Sequence, residues 1–261
     1  MSTVTVLTLV PNAGDRLARC LESVSWADDV FCVVDANTTD GSDGVARRYT
    51  SHVLVHEYVN KADQCNWAIP QIETEWTLVL DADEWVSHEL ARRIQEIVQS
   101  PAGHDAYKIR RKSLFMGKWI EHCGLDRDYN VRLFRTSKGR YRAQRVHATI
   151  DVDGTVGVID EPMLHDDKRD FEEYFRTFQR FTTWAAEDRY DRGKRATLFD
   201  LTLRPLARFV NMYVIRHGFR DGYHGAVLCM LAAFSVFVKY AKLWDLERLE
   251  RERAPAAQKD K

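Results

Sequence analysis

The sequence predicts an α/β protein: a mostly parallel central sheet flanked by helices, followed by a helical C-terminal extension. Three observations predict it. Residues 3–85 alternate short β-branched apolar runs with helix-period segments, the pattern of parallel strands joined by crossover helices. Several of those runs end in polar or acidic residues. From Arg169 to about Arg253 the apolar spacing is helical almost throughout.

Each element follows from its own residues. Residues 3–10 (TVTVLTLV) read as a buried strand, and Leu17, Cys20, Leu21 and Val24 recur at helical spacing. Residues 29–36 (DVFCVVDA) form a second buried run, and the polar, Gly-containing TTDGSDGVARRY opens a helix. Residues 52–58 give a third strand, 60–69 a short helix, and 75–85 (EWTLVLDADEW) a fourth strand ending in acids. Ser87 is placed to cap the next helix, whose inner face carries Leu90, Ile94, Ile97 and Val98. Strands are expected at 106–115, 129–135 and 149–158. The expected division is a catalytic α/β domain over 1–168, a helical extension over 169–253 and a disordered tail over 254–261.

Composition narrows the function. The 261 residues carry 38 Lys+Arg against 39 Asp+Glu, a net charge of -1, which speaks against a general nucleic-acid binder. The five cysteines, Cys20, Cys32, Cys65, Cys123 and Cys229, are odd in number, widely spaced and free of C-x-x-C, so a reducing compartment is expected. The N-terminus lacks a basic n-region and meets Asp15 too soon for a signal peptide. The longest apolar stretch, 225–238, reads as too short to span a bilayer.

In an open α/β sheet, ligands bind beyond the carboxyl ends of the strands. The sharpest feature there is Asp81-x-Asp83, directly after WTLVL. In an extended segment the two carboxylates share a side and repel unless a cation lies between them, and hard oxygen ligands suit Mg²⁺ or Mn²⁺ bridging to a diphosphate. The plainer alternative is a solvated acidic turn before the Ser87 helix. Asp35 ends its strand where a carboxylate can accept hydrogen bonds from a nucleotide, whereas Thr39 and Asp40 suit helix capping. Neither G-x-x-x-x-G-K-[ST] nor G-x-G-x-x-G occurs near the first strand, which opposes P-loop and dinucleotide-binding readings.

Six motifs in order carry a resemblance: the strand ending at Pro11-Asn12, VVDANTTDGS at 33–42, Gln64-Cys65-Asn66, LDADEW at 80–85, Phe115-Met116-Gly117-Lys118-Trp119 with Asp128 and Arg132-Leu133-Phe134-Arg135 behind it, and Leu164-His165. The chain resembles family 2 glycosyltransferases of GT-A fold, in the branch acting on lipopolysaccharide core or related envelope glycans. The resemblance implies inverting transfer of a sugar from a nucleoside-diphosphate sugar to a membrane-anchored glycan acceptor. It places Pro11, Asn12, Asp35, Asn37, Lys61, Gln64, Asn66, Asp81 and Arg132 around the donor. It implies a divalent metal, Mg²⁺ or Mn²⁺, at Asp83 and Asp81 with His165. The base is expected at Asp128, with Glu84 and Glu121 as alternatives; His147 and Arg135 are further candidates near the phosphates, and Trp119 for stacking on a sugar. Three positions depart from the family pattern. Cys65 replaces a lysine, Ala148 replaces the acid of V-H-E, and Pro11-Asn12-Ala13 stands for K-N-E. They motivate a second reading, a non-catalytic sugar-nucleotide-binding or scaffold relative at the membrane.

Residues 200–242 hold six basic side chains against Asp200 and Asp221, interleaved with aromatic and aliphatic residues. Such a region suits an anionic membrane surface, here the cytoplasmic face of the inner membrane, with the 225–238 run dipping into the interface. A helical subdomain or a homo-oligomer interface would use the same residues.

Overall fold

The computed structural model describes residues 2–100, 103–142, 148–168 and 170–256. The chain divides into two compact units, one of residues 1–114 with 125–167, the other of residues 115–124 with 168–261.

In the first unit, β1 (Val4–Val10), β2 (Asp29–Asp35), β3 (Val53–His56) and β4 (Trp76–Asp81) form the parallel part of a sheet ordered β3-β2-β1-β4. Helices α1 (Arg16–Glu22), α2 (Ser42–Tyr49) and α3 (Lys61–Ala68) make the crossovers. Both faces of β1 are buried, which explains its unbroken apolar run. Val4 and Val6 point into a core shared with Cys20 of α1 and Ile94 of the later helix α4 (His88–Gln99), whereas Leu7 and Leu9 pack with Ala62, Cys65 and Ala68 of α3. Ser87 caps α4 by accepting from the Leu90 amide, as its position predicts.

The acidic fourth strand is shorter than its sequence suggests. β4 stops at Asp81, Ala82 and Asp83 turn, and β5 (Glu84–Val86) starts a separate strand. The sheet then continues antiparallel. β8 (Tyr129–Arg135) pairs with β4 and with β6 (Ala106–Phe115), and β11 (Val156–Lys168) pairs with β5, His165 facing Glu84. The strand expected over 149–158 is two, β10 (Ile150–Val152) and β11, split by a turn at Gly154; β10 pairs with β9 (Gly139–Tyr141).

The second unit contains β7 (Lys118–Trp119), α5 (Phe171–Asp191), α6 (Leu198–Leu201), α7 (Leu203–Val210), a π-helical turn Asn211–Ile215 and the long α8 (Gly222–Ala256). Phe178, Thr182 and Ala186 line one face of α5, and Phe178 stacks on Phe234 of α8 with ring centroids 5.5 Å apart. With its flanks, α8 is longer and more apolar than the 225–238 run alone indicates: by length and composition it is the one described helix that could cross a membrane. All five cysteines are free and buried, and Cys123 and Cys229 lie with sulfurs 3.6 Å apart.

Asp221, almost fully buried, organises the 115–124 segment. Its carboxylate accepts from the backbone amides of Glu121 (3.2 Å) and His122 (2.9 Å), and its carbonyl accepts from Lys118 Nζ (2.8 Å). Asp221→Ala leaves two amides without acceptors and is expected to destabilise the protein by about 1–3 kcal/mol, with Asp221→Asn milder, read as the shift in a urea denaturation midpoint.

Candidate active site

The carboxyl ends of the parallel strands gather the residues expected to bind a donor. Pro11 and Asn12 follow β1, and Asn12 Oδ1 accepts from the Thr39 amide (2.8 Å), tying the first loop to the second. Asp35 ends β2; its Oδ1 accepts from the Asn37 amide (3.1 Å), the Asn37 side chain (3.3 Å) and the Tyr58 amide (3.2 Å). Asn37 therefore braces Asp35, and the bracing holds the β2 and β3 loops together.

At the centre lies Arg132 of β8, buried, with Nη2 2.6 Å from Glu84 Oε1 and 3.1 Å from Asp81 Oδ2. Glu84 has no exposed surface, and its other oxygen accepts from the Asp81 amide (3.0 Å). Lys61, at the first position of α3, places Nζ 2.5 and 2.6 Å from the two Asp81 oxygens. Burial by itself would raise the Asp81 carboxyl, but Lys61 and Arg132 hold it far below the usual carboxylate range. Burial would likewise lower Arg132, yet Glu84 and Asp81 raise it further above its ordinary value, so the guanidinium is permanently charged.

The turn after β4 separates the two acids of Asp81-x-Asp83. Each has its own partner in the chain. Asp81 faces Lys61 and Arg132, whereas Asp83 Oδ2 lies 3.4 Å from His165 Nε2. The β5–β11 register sets that second pair, and the Asp83 carbonyl accepts from the Asp166 amide (2.9 Å). Burial pulls His165 down, but the adjacent Asp83 carboxylate outweighs it and leaves the imidazole above its ordinary value. Among the described residues no three His, Cys, Asp or Glu side chains gather as a closed metal cage. One partly exposed carboxylate beside one imidazole nonetheless fits a cation that takes its remaining ligands from phosphate and water, the usual habit of Mg²⁺.

Asp128, immediately before β8, is oriented by neighbours other than Arg127 and Arg132. Arg111 of β6 donates from Nε (2.8 Å) and Nη2 (2.7 Å) to its Oδ2, and Asn130 Nδ2 donates to Oδ1 (2.8 Å). Arg111 also lies 3.7 Å from Glu84, so one guanidinium links the central knot to Asp128. Ser113 Oγ is 3.4 Å from His165 Nδ1, and Arg16 meets Asp166 at 3.3 Å. Sequence reasoning missed Arg111, Ser113, Arg16 and Asp166. A signal existed for two of them: Arg111 and Ser113 are polar at alternate positions with buried Ile109 and Phe115, on one face of β6.

Other expected site residues make hydrogen bonds or ion pairs within the chain. Gln64 is buried and donates to the His56 carbonyl (3.2 Å); Asn66 exchanges two 2.9 Å hydrogen bonds with the Tyr141 backbone. Arg135 pairs with Glu75 and covers Trp76, at the end of β4 opposite Asp81. Cys65, at the position of the missing lysine, is wholly buried, its thiol pushed up to about 12 by desolvation; the lysine that reaches the strand ends is Lys61, one helical turn earlier. Trp119, Glu121 and His122 belong to the second unit. Val146 and His147 lie outside the described residues.

Two predictions follow from the knot. Glu84→Ala strands the buried Arg132 charge and is expected to cost about 3–5 kcal/mol in urea denaturation, whereas Glu84→Leu combined with Arg132→Met regains most of that loss. Asp81 titrates below its unfolded value, so its contribution is present above about pH 4 and fades as pH falls through the folded value. Lys61→Met should flatten this acid limb, as measured by the pH dependence of the melting temperature.

Residues 5–152, more than half of the chain, match the sequence profile described as Glycosyl transferase family 2. The chain is 24% identical over 246 residues to the lipopolysaccharide core biosynthesis glycosyltransferase LpsC of Rhizobium meliloti (strain 1021), covering 92% of this chain and 91% of that protein. It is 26% identical over 255 residues to an uncharacterized glycosyltransferase of Rickettsia felis, covering 93% and 90%. Among solved structures it is similar to the mannosyltransferase PcManGT of Pyrobaculum calidifontis in complex with GDP-Man and Mn²⁺, with a TM-score of 0.50, 15% identity and 93% and 87% coverage, a likeness of fold. The fold is GT-A, and the chain belongs to glycosyltransferase family 2.

Proposed function

We propose that this protein transfers a sugar, with inversion, from a nucleoside-diphosphate sugar to a lipopolysaccharide-core or related cell-envelope glycan, working peripherally at the cytoplasmic face of the inner membrane. The observation that carries the chemistry is the oriented Asp128 carboxylate. Arg111 and Asn130 fix both of its oxygens, and the same Arg111 ties it to the knot at the ends of β4 and β8. The end-to-end similarity to LpsC supports the acceptor class.

In this mechanism Asp35, with the loops after Pro11 and Asn12, receives the nucleoside. Lys61 and Arg132 present positive charge to the diphosphate, both already gathered at Asp81. Asp83 and His165 would hold Mg²⁺ or Mn²⁺, which when bound supplies further positive charge to the departing diphosphate. Asp128 takes the proton of the acceptor hydroxyl as that oxygen bonds to the anomeric carbon and the carbon–oxygen bond to the diphosphate breaks. Glu84, without solvent contact, is a positioning residue: it holds Arg132 and the Asp81 amide in place.

Asp128→Asn should lower transfer by roughly 10²–10⁴-fold while nucleotide-sugar binding, read by thermal shift with Mn²⁺, is retained. Unchanged transfer would remove Asp128 from the role. A scaffold protein would instead show no donor hydrolysis above an Asp83→Ala control, with either Mg²⁺ or Mn²⁺.

A further inference from the structure

An amphipathic helix of a soluble protein normally turns its apolar stripe inward. α7 does the reverse. None of its residues is buried, and Leu203, Leu206, Val210 and Val214, spaced three, four and four residues apart across α7 and the π-helical turn, are all exposed. The exposure is large, 58% at Leu206 and 61% at the neighbouring Ile215. Between residues 192 and 223 the only acids are Asp200 and Asp221. Both are buried: Asp200 closes the Thr197 capping box and pairs with Arg204 (2.5 Å), and Asp221 holds the Glu121 and His122 amides. Arg208, Arg216 and Arg220 stand exposed. The accessible charge of this stretch is therefore basic, beside an apolar ridge. The crowding of Arg189, Arg204 and Arg208 is felt inside the unit as well: Lys239 is lowered to about 8, by burial first and then by these cations.

We infer that α7 and the π-helical turn after it are a monotopic membrane-docking edge. The Leu203–Leu206–Val210–Val214 ridge enters the acyl boundary of an anionic bilayer, and Arg208, Arg216 and Arg220 engage its lipid phosphates. Charge complementarity selects this occupant, because a second copy of the chain would set one basic edge against another. The choice rests also on the envelope-acceptor reading proposed above. It adds the neighbouring segment to the 225–238 run, which buries Cys229, Leu231 and Ala233 but exposes Met230, Phe234 and Phe237. α8 packs against both α5 and α7 and supports the edge.

The test uses the full chain in flotation with vesicles of phosphatidylcholine plus phosphatidylglycerol, against vesicles of phosphatidylcholine alone. Wild type should float with the anionic vesicles, be released by high salt, and stay behind with the neutral ones. Leu206→Glu with Val210→Glu, and separately Arg208→Glu with Arg220→Glu, should each weaken binding by roughly tenfold or more. Their melting temperatures and circular dichroism should match wild type, since all four side chains are exposed. The proposal is overturned if wild type ignores anionic vesicles at low salt, if the variants bind as wild type does, if salt and carbonate fail to extract the protein, or if wild type is a dimer that the variants dissociate. Donor hydrolysis separates the two readings: with correct glycosyl transfer, the edge variants lose vesicle binding and keep hydrolysis, whereas absent hydrolysis in wild type counts against transfer alone.

Discussion

The buried guanidinium of Arg132 is the fixed point of the α/β unit. A charge with so little solvent contact is tolerable only when acids surround it, and Glu84 and Asp81 do so. That requirement reaches into the backbone. Glu84 can serve Arg132 and the Asp81 amide together only if the chain turns at Ala82 and Asp83 and starts a new strand. The turn splits the acidic pair, and the new strand's pairing with β11 delivers His165 beside Asp83. One buried ion cluster thus joins the parallel half of the sheet to its antiparallel half.

Outward from that cluster, charges alternate. Lys61 faces Asp81, Arg111 lies between Glu84 and Asp128, His165 faces Asp83, and Arg16 meets Asp166. A site of this kind holds its dipoles and ions in place before any substrate arrives, so little reorganisation is needed when charge develops on a leaving group. It also explains why the acids at these strand ends are not interchangeable. Asp81 and Glu84 meet the buried Arg132, whereas Asp83 and Asp128 pair with His165 and Arg111.

The parallel half of the sheet was legible because its strands are buried on both faces, which leaves continuous apolar runs such as VTVLTLV and WTLVL. The Ser87 cap was legible because a helix start has a local chemical signature. The Asp81–Asp83 turn was not, since extended and turned forms of D-A-D share one sequence and the buried partner that Asp81 meets, Arg132, lies some fifty residues away. Gln64 and Asn66 stand in a motif that suggested ligand contact, but their partners are the carbonyl of His56 and the backbone of Tyr141. Side-chain amides satisfy backbone and ligands with the same atoms, so type and spacing alone do not distinguish the two uses. Arg111 was overlooked for the converse reason: its partner Asp128 is seventeen residues on, and only the β6–β8 pairing brings them together.

A net charge of -1 describes neither unit. In the α/β unit, acids meet cations at the strand ends and largely cancel there. Along residues 192–223 both acids are buried, Asp200 in a helix cap and an ion pair with Arg204, Asp221 in holding a loop, so the exposed charges of this stretch are basic. Burying these acids has a second effect besides local order: no acidic side chain of this stretch stands exposed beside Arg208, Arg216 and Arg220. The same two contacts that fold this stretch therefore also set the sign of its exposed field. An apolar ridge on a basic helix follows from where Asp200 and Asp221 are placed as much as from the arginines themselves.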